Sequence, residues 1–210
     1  MKDGDNLTLK AGDNPITERL FIALELPHNL QRDVQNATQA LRAVVGQREV
    51  RWVPSENLHL TLKFLGDTTS AKKQQLQEGI STVAAQMRTF SVLLESVGCF
   101  PNVHKPRVIW VGLRDTSQHL IALHKQIEVM SQALGFATEE KPFHPHITLG
   151  RIKGHIKDRT TLRRIGTHVE QFDLSIIGEW PCTAISLMAS RLTPSGSIYT
   201  CLYKAQLKTS

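Results

Sequence analysis

Leu58-His59-Leu60-Thr61-Leu62 recurs 87 residues later as Pro145-His146-Ile147-Thr148-Leu149. In an extended chain, residues i and i+2 share a face. Each copy therefore puts one imidazole and one hydroxyl on one side of a strand and apolar residues on the other. Two such strands facing each other hold two imidazoles and two hydroxyls around one small ligand. This is an acid–base pair with its own donors, and it calls for no metal. With nine His in 210 residues, about one His-x-Thr arises by chance. Apolar residues at x and after the Thr cut that to roughly 0.1, so two accidental copies have odds of about one in a hundred. The competing reading is a pair of ordinary half-buried strands, each with a satisfied histidine.

Outward from the two copies, the chain divides into alternating elements. Arg19 to Pro27 is a short apolar strand. Leu30, Val34, Ala37, Leu41 and Val44 then mark one apolar face of a single helix closed by Gly46. Val50 to Val53 is extended, and the first motif runs through Lys63-Phe64-Leu65 to a turn at Gly66-Asp67. Thr69 or Ser70 caps a helix with the face Leu76, Ile80, Val83, Ala84 and Met87. Two strands, Phe90 to Val97 and Arg107 to Leu113, flank a loop from Gly98 to Pro106. Leu120, Leu123, Ile127, Met130 and Leu134 define the next helix, with Met130 read as core. After the second motif, a short helix passes through Leu162, Ile165 and Val169. Strands at Cys182 to Arg191 and Ser197 to Leu207 follow, joined by a turn at Thr193-Pro194-Ser195-Gly196. The order predicts an α+β fold of two related, pseudo-symmetric antiparallel sheets, with helices on the outer faces and a central cleft. Residues 1–18 are expected to be a flexible extension, and 19–210 a single two-lobed domain.

The net charge of +6 and the pI near 9.4 suit an anionic partner such as RNA or a phosphate ester. No run of 18 apolar residues exists and the first 18 residues lack an apolar signal core, so neither a membrane span nor a secretory signal is expected. Three Cys without metal spacing fit reduced thiols in a cytoplasmic protein.

Trp52-Val53-Pro54, the run from Glu56 to Gly66, and Pro142-Phe143-His144-Pro145-His146-Ile147-Thr148-Leu149-Gly150-Arg151 together resemble the 2H phosphoesterase superfamily. The likeness is greatest to its RNA 2′,3′-cyclic phosphodiesterases, also called 2′-5′ RNA ligases. Arg19 to Ala23 and Arg107 to Gly112 are similar to further stretches of that family, and the match spans roughly residues 19 to 207. The resemblance implies a bilobed α+β fold with the motifs on the cleft walls, His59 as general acid, and His146 as general base. It also implies that Thr61 and Thr148 bind phosphate oxygens, with Arg151 nearby.

On that reading His146 activates water and His59 protonates the departing 3′-oxygen of a 2′,3′-cyclic phosphate, leaving a 2′-phosphomonoester. Imidazoles suit this because an ordinary pKa near 6.5 lets one be neutral and the other charged. No cofactor or metal is expected. The partners are RNA or nucleotides with cyclic phosphate ends, no membrane is involved, and the chain is expected to be a monomer. Phe21, Trp52, Phe64 and Phe143 are candidates for stacking a base. The basic segment Lys153 to Arg164 is either a steering surface for RNA or a solvated helix face. Three alternatives stay open: a three-His zinc site using His59, His144 and His146; a non-catalytic RNA- or nucleotide-binding module; and the reverse reaction, 2′-5′ ligation.

Overall fold

Alternating side chains on the two motif strands decide which face of the sheet is buried. In the computed structural model, which describes residues 17–193 and 196–209, the strands are β1 (Thr17–Glu25), β2 (Val50–Trp52), β3 (His59–Thr69), β4 (Phe90–Phe100), β5 (Val108–Arg114), β6 (His146–Ile152), β7 (Gly178–Cys182), β8 (Ala184–Thr193) and β9 (Gly196–Gln206). The helices are α1 (His28–Ala37), α2 (Gln39–Val45), α3 (Ser70–Gln86), α4 (His119–Ala133) and α5 (Arg159–Glu170). The strand order is β7-β4-β5-β6-β3-β1-β8-β9, with β2 added to β6. Every pairing between these strands is antiparallel. The sheet curls into a half-barrel.

The two motif strands are the innermost neighbours, joined through the single pair Leu60↔Ile147. Four strands lie on the β3 side of this seam and five, counting β2, on the β6 side, so the two expected sheets are halves of one. Leu60, Leu62, Ile147 and Leu149 point to the helical side, where Leu76, Ile80, Leu120, Leu123, Ile127, Ile165 and Val169 from α3, α4 and α5 complete the main core. Phe21, Ala23 and Met188, with Tyr199 against them, form a small second cluster on the opposite face. The chain thus keeps its helices on one side and leaves the other side open for the motifs.

Several local expectations are corrected. Strand β1 begins at Thr17, inside the expected extension, and Glu18 pairs with Lys73 of α3; residues 1–16 lie outside the described residues. The single helix from Leu30 to Val44 is two helices broken at Thr38, whose hydroxyl donates to the Val34 carbonyl at 2.7 Å. The break shifts the phase, so that Leu41 and Val45 are buried while Val44 is 52% exposed. Gly66 is not a turn. It has φ +72° within β3, where Leu20↔Gly66 is followed by Phe21↔Phe64 and Leu65 is the extra residue of a bulge.

The expected loop at Gly98 is also strand, because β4 continues to Phe100. There the Trp110 ring crosses the backbone so closely that a Cβ at position 98 would lie 2.3 Å from it. Strand β7 has no counterpart in the sequence reading. It carries Pro181 and lies at the sheet edge, the place where a strand tolerates proline. Pro194 and Ser195 of the predicted turn lie outside the described residues; Thr193 and Gly196 on either side pair with each other.

Leu60 has 0% exposure at the seam. Leu60→Ala is expected to cost about 3 kcal/mol in a denaturant melt, the usual range for a buried leucine. A loss below about 1 kcal/mol would show that the seam is not a packing centre.

Candidate active site

His59 and Thr61 on β3, and His146 and Thr148 on β6, all project from the face opposite the main core and are half-buried. Extending the Leu60↔Ile147 register by one residue either way sets His59 beside Thr148 and Thr61 beside His146. The four side chains therefore lie together around the seam, with His59 against the hydroxyl of its own motif, Thr61.

Both rings are held in the same way. His59 Nδ1 lies 2.7 Å from the Asn57 carbonyl, and His146 Nδ1 lies 2.7 Å from the His144 carbonyl. A carbonyl oxygen only accepts, so Nδ1 carries the proton and donates in each case. The neutral rings then present an unprotonated Nε2, and His59 Nε2 meets the Thr61 hydroxyl at 3.1 Å. Rings packed alongside keep them upright. His59 lies 5.0 Å from Phe21 and 5.1 Å, edge-on, from Tyr199; His146 stands edge-on to Phe100 at 4.9 Å.

A bulge in each motif strand decides what else reaches this face. In β6, Trp110↔Thr148 is followed by Ile109↔Gly150, so Leu149 is extra. In β3, Ala23↔Thr61 is followed by Ile22↔Lys63, so Leu62 is extra. Each extra residue reverses the alternation. Arg151 thereby rejoins the face of His146 and Thr148, and Phe64 rejoins the face of His59 and Thr61. The two occupy equivalent places, three residues beyond their Thr, and Phe64 is 61% exposed. One rim of the site is a flat aromatic ring, the other a guanidinium.

The electrostatics are unequal. Burial lowers the pKa of both imidazoles, the hydrogen bonds from Nδ1 work against that, and the charge of Arg151 lowers both further. Of the two, only His59 has a carboxylate acting on it among the described residues. Glu25, paired with His59 across β1 and β3, favours the imidazolium, whereas His146 has Gly112 opposite. Burial alone would raise Glu25, but hydrogen bonds from Lys204 and Ser186 hold it below the usual range and keep it charged.

Of the four candidate stacking rings, Phe21 and Phe64 reach this face. Trp52 packs on the helical side, its Nε1–H donating to Gly46 O at 3.1 Å under the guanidinium of Arg42. Phe143 stacks on His124 of α4 at 3.9 Å. Helix α5 packs on β4 and α2 in the helical layer, so its basic residues do not line the cleft. His144 sends its carbonyl to His146, and among the described residues no cluster of three or more His, Cys, Asp or Glu side chains is arranged to hold a metal ion.

Glu25 and Tyr199 were missed from the sequence. Glu25 was legible, since Phe21, Ala23 and Glu25 alternate onto one face. Nothing marks Tyr199 apart from its neighbours in β9, because its place depends on the β8–β9 hairpin folding back beside β1.

The chain matches the model of the family described as LigT like Phosphoesterase twice in succession, over residues 24–110 and 111–199, with one motif in each match. It is 30% identical over 181 residues to a protein of Methanocaldococcus jannaschii named RNA 2′,3′-cyclic phosphodiesterase, covering 86% of this chain and 96% of that one. Among solved structures, it is similar to TT0787 of Thermus thermophilus (TM-score 0.72, 28% identity, 91% of this chain and 99% of that one). It is also similar to Escherichia coli LigT complexed with 3′-AMP (TM-score 0.67, 28% identity, 92% and 99%). No described helix is long and apolar enough to cross a membrane.

Both imidazoles have folded pKa values below the unfolded value near 6.5, so the unfolded chain binds more protons between those values. Their contribution to stability is complete above pH 6.5 and is lost as the pH falls through that window. His146→Asn should therefore flatten the decline in unfolding free energy between pH 7 and pH 5. In ring-proton NMR titrations, Glu25→Gln should move the His59 titration to lower pH and leave that of His146 in place. Equal movement of both would remove Glu25 as the source of the asymmetry.

Proposed function

The chain belongs to the LigT-like phosphoesterase family, and from that premise we propose that it hydrolyses 2′,3′-cyclic phosphate ends of RNA to 2′-phosphomonoesters. The observation that carries this is the matched pair of imidazoles, each with Nδ1 committed to a backbone carbonyl and Nε2 left for the cleft. The name of the Methanocaldococcus relative and the nucleotide in the Escherichia coli complex point to the same substrate class.

Opening the cyclic ester is an in-line displacement at phosphorus, with proton removal on one side and proton donation on the other. His146, which has only positive charge among its charged neighbours, is suited to be neutral and takes the proton of the attacking water. His59, beside Glu25, is the better holder of a proton and delivers it to the departing 3′-oxygen. The Thr61 and Thr148 hydroxyls and the Arg151 guanidinium bind the remaining phosphate oxygens, where fixed donors stabilise the charge of the transition state. Phe64, exposed at the opposite rim, offers a platform for the terminal base.

Nucleoside 2′,3′-cyclic phosphates should be converted to 2′-monophosphates, in the presence of chelator as in its absence. His59→Ala and His146→Ala should each lower kcat by about 10²–10⁴-fold while leaving the affinity for a nucleoside 2′-monophosphate within a few-fold. The dependence of kcat/KM on pH should be bell-shaped and centred on the acid side of 6.5, because both imidazoles are shifted downward. A 3′-monophosphate product would exchange the oxygen that receives the proton. Tight binding without turnover would make the chain a binding module instead.

A further inference from the structure

Arg51 takes no part in the chemistry above, yet the strand register sets it opposite Arg151. Strand β2 pairs with β6 in the register Val50↔Ile152, Arg51↔Arg151 and Trp52↔Gly150. Directly opposed residues of an antiparallel pair project from the same face, with Cβ atoms about 4.5–5.5 Å apart. Their neighbours show which face this is. Val50 is buried, and a Cβ on Gly150 would meet Val50 Cγ1 at 2.7 Å and Trp52 Cε3 at 2.8 Å, so these three positions point to the helical layer. Arg51 and Arg151 point the other way and are both exposed, on the face of His146 and Thr148.

Two guanidinium groups opposed on one sheet face repel each other. Among the described residues neither forms an ion pair. The nearby Glu49 carboxylate is engaged by Arg164 at 3.4 Å. Lys153, just past the end of β6, is tied to the Gln47 carbonyl. Such an uncompensated pair is suited to successive anionic groups on one ligand. Arg151 is close enough to the imidazoles to act on both through its charge, while Arg51 stands opposite it on β2, which pairs with the same strand beyond the seam.

We infer that Arg51 forms a second phosphate subsite beside Arg151, so that the preferred substrate is an oligoribonucleotide rather than a mononucleotide. This rests on the phosphodiesterase reading above. The terminal cyclic phosphate sits between the imidazoles, and the phosphodiester joining the terminal nucleotide to its 5′ neighbour lies against the Arg51 guanidinium. The fork of Arg51 binds the two non-bridging oxygens of that linkage.

The test compares a nucleoside 2′,3′-cyclic phosphate with a dinucleotide bearing the same end, on the wild type, Arg51→Gln and Arg51→Lys. For the dinucleotide, Arg51→Gln should lower kcat/KM about tenfold, the scale of one charge-assisted contact. It should also reduce the slope of log kcat/KM against log salt by about 0.7. The mononucleotide should be turned over within about twofold of wild type, and Arg51→Lys should recover part of the dinucleotide rate. Thermal melting of Arg51→Gln should be no lower than wild type, since a repulsive pair is relieved.

Binding is measured alongside, with a nucleoside 2′-monophosphate and a dinucleotide ending in a 2′-phosphate. A wild-type preference for the dinucleotide that Arg51→Gln abolishes supports the subsite even if no turnover is seen, and in that case only the phosphodiesterase reading fails. Equal losses on both ligands, or no loss on either, overturn the subsite while leaving that reading untouched.

Discussion

The pairing of Leu60 with Ile147 is the contact on which the rest of the molecule depends. It is one rung of a ladder, but it joins a five-stranded half to a four-stranded one and sets the faces of both motif strands at once. Because side chains alternate with a period of two, burying Leu60 and Ile147 under the helices obliges His59, Thr61, His146 and Thr148 to face the other way. A slip of one residue in either strand would bury an imidazole and expose a leucine. The same hydrophobic packing that stabilises the fold therefore assembles the site.

Identical motifs do not make identical sites. Each imidazole is fixed by the same donation from Nδ1 to a carbonyl two residues earlier in the chain. The difference lies in what stands opposite, a charged carboxylate for His59 and a glycine for His146. That carboxylate stays charged although burial opposes it, because Ser186 and Lys204 donate to it. Near-symmetric geometry with unsymmetric charge is what an acid and a base need in order to act on one phosphorus atom. The rims differ in the same manner, with Phe64 and Arg151 at equivalent places offering a ring on one side and charge on the other.

The local irregularities in these strands carry function. The bulges at Leu62 and Leu149 interrupt the alternation just past each threonine and bring Phe64 and Arg151 to the cleft. Strict alternation read from the sequence would have sent both to the core side. The glycine at 66, which reads as a turn, lies in a further bulge, and β3 runs on past it to Thr69. Trp52 and Phe143 show the converse. Both flank the motifs in sequence, and both are packing residues on the helical layer, held by Arg42 and His124.

From the order of residues alone came the strands that bear the motifs, the faces of the motif residues themselves, the apolar stripes of α3, α4 and α5, and the α+β class. These are properties of local periodicity, and short-range geometry is enough to decide them. The joining of the two halves into a single sheet, the reach of Glu25 and Tyr199 toward His59, and the placing of Arg51 beside Arg151 arose only on folding. Each depends on strand registers between segments remote in the chain. Register is settled by packing across the whole sheet, and no window of the sequence contains it.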